Sequence, residues 1–312
     1  MKGKIYHLCY TSHGEVLCRK FLDYCMLFNC IAQATICTDA QLLAYAIMSS
    51  HVHLIVITGY PAAYIQRIRS SYTQMFNIRY HRKGALGEPS FFSLELKGRH
   101  HVAAAISYVL RNPSGHEVCV NPYDYPFSSI NLYFKSMIVS PEQRKHWNEL
   151  KGKKGGHSRL ISVTNSLPEW IDIDSDGRIN PAQIVCSDLV EGYFGSYNAF
   201  DFGLSRRDYE QWNTQQMNDE LSLDPVTLAS IEPYMSAEEV SRILRQNPGW
   251  IKDKRIKDID LCNIVDSEFV PQYHKKSYAC LSTSEKLEIS RKLLKNRSVT
   301  VRQVERCLGV TL

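Results

Sequence analysis

The chain has 312 residues, of which 44% are hydrophobic and 22% are charged, and its formal net charge is +5. This composition is typical of a globular protein. No apolar run approaches the roughly 18 residues of a membrane span, which excludes the class of helical integral membrane proteins. The first residues lack the apolar stretch of a secretion signal, so we expect a cytoplasmic location. Ten cysteines are scattered without a Cys-x-x-Cys pair, a pattern that fits neither a zinc ribbon nor a redox dithiol.

Positive charge is concentrated in the first part of the chain. Residues 1–140 contain 13 Lys/Arg and 7 Asp/Glu, whereas residues 141–312 contain 24 and 25. A basic excess of this kind indicates a polyanionic partner for residues 1–140.

Strand and helix patterns alternate along residues 1–140. The periodicity predicts strands at 4–11, 41–48, 52–57 and 90–96, and helices at 21–36, 62–82 and 101–111, the last closed by Pro113. The order βαββαβ plus a further helix fits a ferredoxin-like antiparallel sheet with helices on one face. We therefore predict an α+β fold for this part.

The remainder is predicted to be a basic linker followed by a mainly helical C-terminal domain. Residues 141–160 are rich in Lys and Arg and contain a Gly-Gly pair, which is typical of a flexible linker. Helical patterns occupy 205–250 and 284–308. The second resembles the first helices of a helix-turn-helix but lacks a recognition helix. We expect it to close the second domain, with DNA contact as the alternative.

A short acidic segment, Asp172-x-Asp174-x-Asp176-Gly177, resembles a calcium-binding loop. Gln183 stands at the position where such a loop needs a bidentate Glu. We therefore expect a hairpin turn at 175–177 instead.

Two histidines mark the start of the strand at 52–57. Side chains alternate along a strand, so His51 and His53 project from one face, and Val52 and Leu54 project from the other, predicted core, face. Two imidazoles at this separation can ligate one metal ion. The alternative is a half-buried strand with two polar residues.

The helix at 101–111 carries a second pair of polar groups. Tyr108 and Asn112 are one helical turn apart, away from the apolar stripe. A tyrosine on a helix is usually a packing residue. Beside a metal held by two histidines, however, a phenol and an amide oxygen would supply a nucleophile and a third ligand.

His51-Val52-His53 on a strand, followed by Tyr108-x-x-x-Asn112-Pro113, resembles the single-tyrosine transposases of the HUH endonuclease superfamily, in particular the REP-associated tyrosine transposase branch. Residues 71–87 also resemble that branch, and the likeness covers about residues 4–135. One departure is Ser50, since the family usually has Asn before the first His, which bears on how that ligand is supported.

The resemblance implies a metal-dependent enzyme that nicks and rejoins single-stranded DNA at a hairpin-associated site without ATP. His51, His53 and Asn112 would hold Mg²⁺ or Mn²⁺ against the scissile phosphate. Tyr108 would attack and form a 5′-phosphotyrosine link. Residues 1–140 would be the nuclease domain, 141–160 the linker and 161–312 the C-terminal domain. The partner would be single-stranded or hairpin DNA, and the protein a monomer or a homodimer.

Basic and aromatic residues alternate between residues 64 and 84, where no Asp or Glu occurs. This mixture suits single-stranded DNA, because cations pair with phosphates and bases stack on rings. The predicted DNA contacts are Arg67, Arg69, Arg79, Arg82, Lys83 and Arg111. The alternative is a solvated basic face over core aromatics, which we expect for Tyr72 and Phe76.

Two other functions share features with this sequence. A histidine-triad nucleotide hydrolase also uses alternating histidines on a strand, but Ile55 stands where its third histidine is required. A host-adopted DNA-binding regulator with the same fold, which has lost cleavage, is the remaining alternative, and the intact set of His51, His53, Tyr108 and Asn112 argues against it.

Overall fold

The structure, a computed structural model, describes residues 3–12, 14–116, 118–135, 167–205, 256–295 and 299–312. The predicted linker at 141–160 and all but the first residue of the helical pattern at 205–250 lie outside these ranges. The division into two domains stays a prediction.

Four strands form one antiparallel sheet in the order β2-β3-β1-β4, as in a ferredoxin-like fold. They are β1 Lys4–Thr11, β2 Gln41–Ile47, β3 His51–Thr58 and β4 Phe92–Glu95. The β2–β3 connection is a tight hairpin, because Met48 N donates to His51 O at 2.8 Å across Ser49 and Ser50. β2 also contains a bulge between Leu42 and Ala44.

Helices cover both faces of this sheet. α1 (Phe21–Cys37) and α2 (Pro61–Tyr80) lie on one face, where the ring of Phe28 packs 4.9 Å from that of Tyr45. α3 (Gly98–Gly115) lies on the other, with the ring of Tyr108 5.6 Å from that of His53. The α+β class is confirmed, but the prediction of helices on one face only is wrong. The reason is that β3 is buried on both sides: Ile55 and His53 are as buried as Val52 and Leu54.

α3 continues one turn beyond its predicted end. Pro113 lies inside it rather than closing it. Proline removes one backbone hydrogen bond, but its fixed φ is compatible with a helix. Asn112 and Pro113 are both buried, and this packing offsets the lost hydrogen bond.

Further helices follow in the second half of the chain: α4 Ser187–Phe194, α5 Tyr197–Ser205, α6 Asp258–Ile264, α7 Thr283–Leu293 and α8 Val301–Leu308. α7 and α8 begin at capping boxes built by Ser282 with Glu285 and by Thr300 with Gln303. The helix pair predicted within 284–308 is therefore confirmed.

The acidic segment forms the expected hairpin turn. Asp174 N donates to Arg178 O at 2.8 Å, and Gly177 N donates to Asp174 O at 3.0 Å. The Asp174 carboxylate accepts from the backbone of Asp176 and pairs with Arg178.

The described second-half segments share one buried cluster with the sheet. It joins Leu8 and Val109 to Phe200, Leu261 and Val304. Among the residues that the structure describes, no helix is long and apolar enough to cross a bilayer.

Candidate active site

α3 brings three polar residues over β3. Tyr108, Asn112 and His116 follow at intervals of four residues and therefore share one helical face. The ring of His116 lies 5.0 Å from that of His51, and the rings of His51 and His53 are 4.9 Å apart. Sequence reasoning did not select His116, although the fourfold spacing from Asn112 could have indicated it.

A chain of hydrogen bonds connects strand to helix. His51 Nε2 lies 3.0 Å from Asn112 Oδ1, and Asn112 Nδ2 donates to the Tyr108 hydroxyl at 3.3 Å. Because an amide oxygen only accepts, His51 carries the proton on Nε2 in this arrangement. Sequence-predicted residues from separate elements are thus brought together, while their catalytic roles stay predictions.

Ser50 supports the first histidine from the other side of its ring. Its hydroxyl lies 3.1 Å from His51 Nδ1. A hydroxyl can both donate and accept. Ser50 can therefore serve either tautomer of His51, so a side-chain partner is present at the position before His51.

His7 is a further member of the site. On β1, it lies with Nε2 3.0 Å from His53 Nδ1, and its ring is 6.0 Å from that of Tyr108. In the register of the sheet, His7 pairs with Ile55, which puts it on the His53 face. The sequence contains no signal for this contact, since it depends on how β1 aligns with β3.

Burial makes His51 and His53 poor bases. It lowers the pKa of His51 to about 3, and the nearby His116 acts in the same direction. The pKa of His53 is well below its ordinary range, first through burial and then through the neighbouring His51 and His7. Both imidazoles are therefore neutral near pH 7, and each keeps one ring nitrogen with a lone pair, which for His51 is Nδ1 in this arrangement.

The site is closed. His53 is fully buried, and the exposed fractions of Tyr108 and Asn112 are 8% and 5%. A DNA strand can reach the phenol only after neighbouring groups move.

A metal ion here would depend on Asn112. Within the described ranges, no group of three or more His, Cys, Asp or Glu side chains is arranged to hold a metal ion. Two neutral imidazoles and an amide oxygen nevertheless form a suitable donor set. Binding an ion through His51 Nε2 would require its proton to move to Nδ1, where the Ser50 hydroxyl can accept it. His51 Nε2 and Asn112 Oδ1, which lie 3.0 Å apart, would then both have lone pairs for the ion.

Most of the predicted DNA-contacting cations lie on α2 or just after it, across the sheet from Tyr108. Arg69 donates to Pro89 O at 2.7 Å, Arg79 pairs with the buried Asp23 at 3.2 Å, and Arg82 pairs with Glu15. These three cations hold the fold together in this structure. Of the other three, Lys83 is exposed, whereas Arg67 and Arg111 are half-buried. The core positions expected for Tyr72 and Phe76 are confirmed.

Comparisons with known proteins add little information about this chain. No family model and no curated protein matches the chain. A solved structure of a REP-associated tyrosine transposase bound to a REP hairpin is similar to part of it, with a TM-score of 0.38 and 16% identity over 45% of this chain and 84% of that chain. A likeness at this TM-score adds no argument about function. The fold assignment depends on the sheet order and the helix positions alone.

Proposed function

We propose that this protein is a metal-dependent, single-strand DNA nicking and strand-transfer enzyme of the transposase type, with Tyr108 as nucleophile. The observation that carries the proposal is the hydrogen-bonded connection from His51 through Asn112 to the Tyr108 hydroxyl. This connection supports the proposal because the phenol lies close to two neutral imidazoles and an amide oxygen, which are donor types that a divalent ion accepts.

In this proposal, Asn112 acts on the nucleophile, and His51, His53 and Asn112 together bind the metal ion. Asn112 orients the phenol, and its amide N–H stabilises negative charge as it develops on the phenol oxygen. A bound Mg²⁺ or Mn²⁺, held by His51, His53 and Asn112, would withdraw charge from a non-bridging oxygen of the scissile phosphate.

The Tyr108 oxygen bonds to phosphorus while the bond from phosphorus to the 3′-oxygen breaks. The phenol loses a proton, and the departing 3′-oxygen gains one. The 5′-phosphotyrosine link preserves the phosphodiester's energy, so a later 3′-hydroxyl can attack it and rejoin the strand without ATP.

The test uses a labelled hairpin oligonucleotide with Mg²⁺ or Mn²⁺. We expect the wild type to form a covalent protein–DNA adduct and Tyr108→Phe to form none while binding the hairpin equally well. The matched control is Tyr60→Phe, which removes the hydroxyl of a tyrosine that is 65% exposed and should leave the adduct unchanged. An adduct that persists in Tyr108→Phe would rule out this nucleophile.

The second candidate function is a DNA-binding regulator without cleavage. The closed site favours it, since Tyr108 and His53 are both buried. A wild-type protein that binds the hairpin but forms no adduct with either metal would establish the regulator instead.

A further inference from the structure

His7 and His53 form a buried pair of imidazoles between neighbouring strands. His7 Nε2 and His53 Nδ1 are 3.0 Å apart, their ring centroids are 5.2 Å apart, and both side chains are fully buried. A separation of 3.0 Å between two nitrogens accommodates one hydrogen. One ring must therefore donate and the other accept.

The direction of this hydrogen bond decides what His53 can do. If His7 donates, His53 carries its own proton on Nε2, and that nitrogen has no lone pair for a metal. If His53 donates from Nδ1, its Nε2 keeps a lone pair. Metal-binding histidines generally donate their second N–H to a neighbouring acceptor, which fixes both the tautomer and the ring orientation.

We propose that His7 is the positioning residue of this site: it accepts the Nδ1 proton of His53 and so presents Nε2 of His53 to the divalent ion. The inference rests on the proposed function for the identity of the ligand, but it concerns only metal binding. His7 touches neither the metal nor DNA and acts through His53.

The register of the sheet supports this role. His7 pairs with Ile55 and so lies beside His53 on the α3 face, with the Phe92 ring 5.4 Å away, edge-on to it. The His7 side chain is therefore fixed by the pairing of β1 with β3, by the Phe92 ring and by His53. A rigidly held acceptor limits the rotation of the His53 ring, which is what a preformed ligand requires.

Two measurements on the full-length protein test the proposal without DNA. The first is the ¹⁵N signature of His53 in the metal-free wild type, where we expect a protonated Nδ1 and an unprotonated Nε2. The opposite tautomer would overturn the proposal.

The second measurement is Mn²⁺ affinity, read by calorimetry or by the loss of the free-ion magnetic resonance signal. His7→Leu removes the acceptor and should weaken binding by about 10- to 100-fold. His7→Gln offers an acceptor at similar reach and should retain most of the affinity. The control is Ile55→Val, a buried change on the same face that should leave Mn²⁺ binding near the wild-type value.

Equal losses in His7→Leu and His7→Gln, or a wild type that binds no Mn²⁺, would overturn the proposal. The result is separate from the test of cleavage. If Mn²⁺ binding follows the expected order but no DNA adduct forms, the positioning role stands and the nicking activity fails.

Discussion

Gly87 shows how closely the loop before β4 packs on β1. Its φ is +84°, and an added Cβ would lie 2.5 Å from the Tyr10 ring and 2.7 Å from Thr11 O. The same loop is fixed by Glu88 N, which donates to Thr11 O at 2.9 Å. Only glycine satisfies both the backbone conformation and the close approach.

We expect Gly87→Ala to lower the free energy of unfolding by about 2–5 kcal/mol. The left-handed backbone contributes about 1–2 kcal/mol of this cost and the steric clash about 1–3 kcal/mol. Gly84→Ala is the matched control: its φ is +89° but nothing lies within 4 Å, so only the backbone cost applies. Urea unfolding midpoints measure both. Equal shifts for the two variants would contradict the packing of Gly87 on Tyr10.

Among single residues, the sequence indicated those members of the site whose proximity follows from their spacing within one strand or one helix. Alternation along a strand placed His51 with His53, and one helical turn placed Tyr108 with Asn112. His7 could not be found in this way, because its contact with His53 depends on pairing between strands 46 residues apart. Nor could the internal partner of Arg82, Glu15, be read from composition.

α5 packs on α3 directly behind the nucleophile candidate. An added Cβ at Gly203 would lie 2.8 Å from Ser107 Oγ, and Ser107 immediately precedes Tyr108. Arg99, in the first turn of α3, donates to Tyr193 O of α4 at 2.8 Å. α4 and α5 thus both contact α3.

Gly203→Ala should therefore destabilise the protein by about 1 kcal/mol, because the extra methyl displaces Ser107 or the helix. Gly192→Ala, on α4, meets nothing within 4 Å and should be neutral or stabilising by up to about 1 kcal/mol through helix propensity.

Adding Ser107→Ala to Gly203→Ala removes the clashing oxygen and should restore stability, since the next side-chain atom of residue 107 is 3.8 Å away. Thermal unfolding of the wild type, Gly203→Ala, Ser107→Ala and the double variant in a double-mutant cycle measures the coupling. Strictly additive effects would show that α5 does not press on Ser107.

Helices and strands, like single residues, could be predicted where local sequence spacing decides the structure. Helices and strands with clear periodicity were found within a few residues of their ends. The path of α3 through Pro113 and its position on the second face were not predicted, because both depend on burial supplied by distant segments. α4 and α5 are an example, since they pack on α3 from almost a hundred residues away in sequence.

At the scale of the whole molecule, Arg19 is a buried polar link between the first and last parts of the chain. Its fully buried guanidinium pairs with Asp266 at 2.7 Å, donates to Cys307 O and lies 3.6 Å from the centre of the Tyr278 ring. The Asp266 side chain is 8% exposed. A buried ion pair is not in itself strong evidence of stability, but removing one partner leaves a charge without compensation.

Asp266→Asn should therefore lower the free energy of unfolding by about 3 kcal/mol. The described second-half helices share a buried cluster with the sheet, so the lower stability should also affect β3. If opening is global, the amides of Leu54 and Val56 should exchange with solvent about 100-fold faster. Glu268→Gln, an exposed change two residues away, should leave exchange almost unchanged. If Asp266→Asn accelerates exchange only in α6 to α8 and not in β3, then α6 to α8 unfold independently of the sheet, as part of a separate C-terminal domain would.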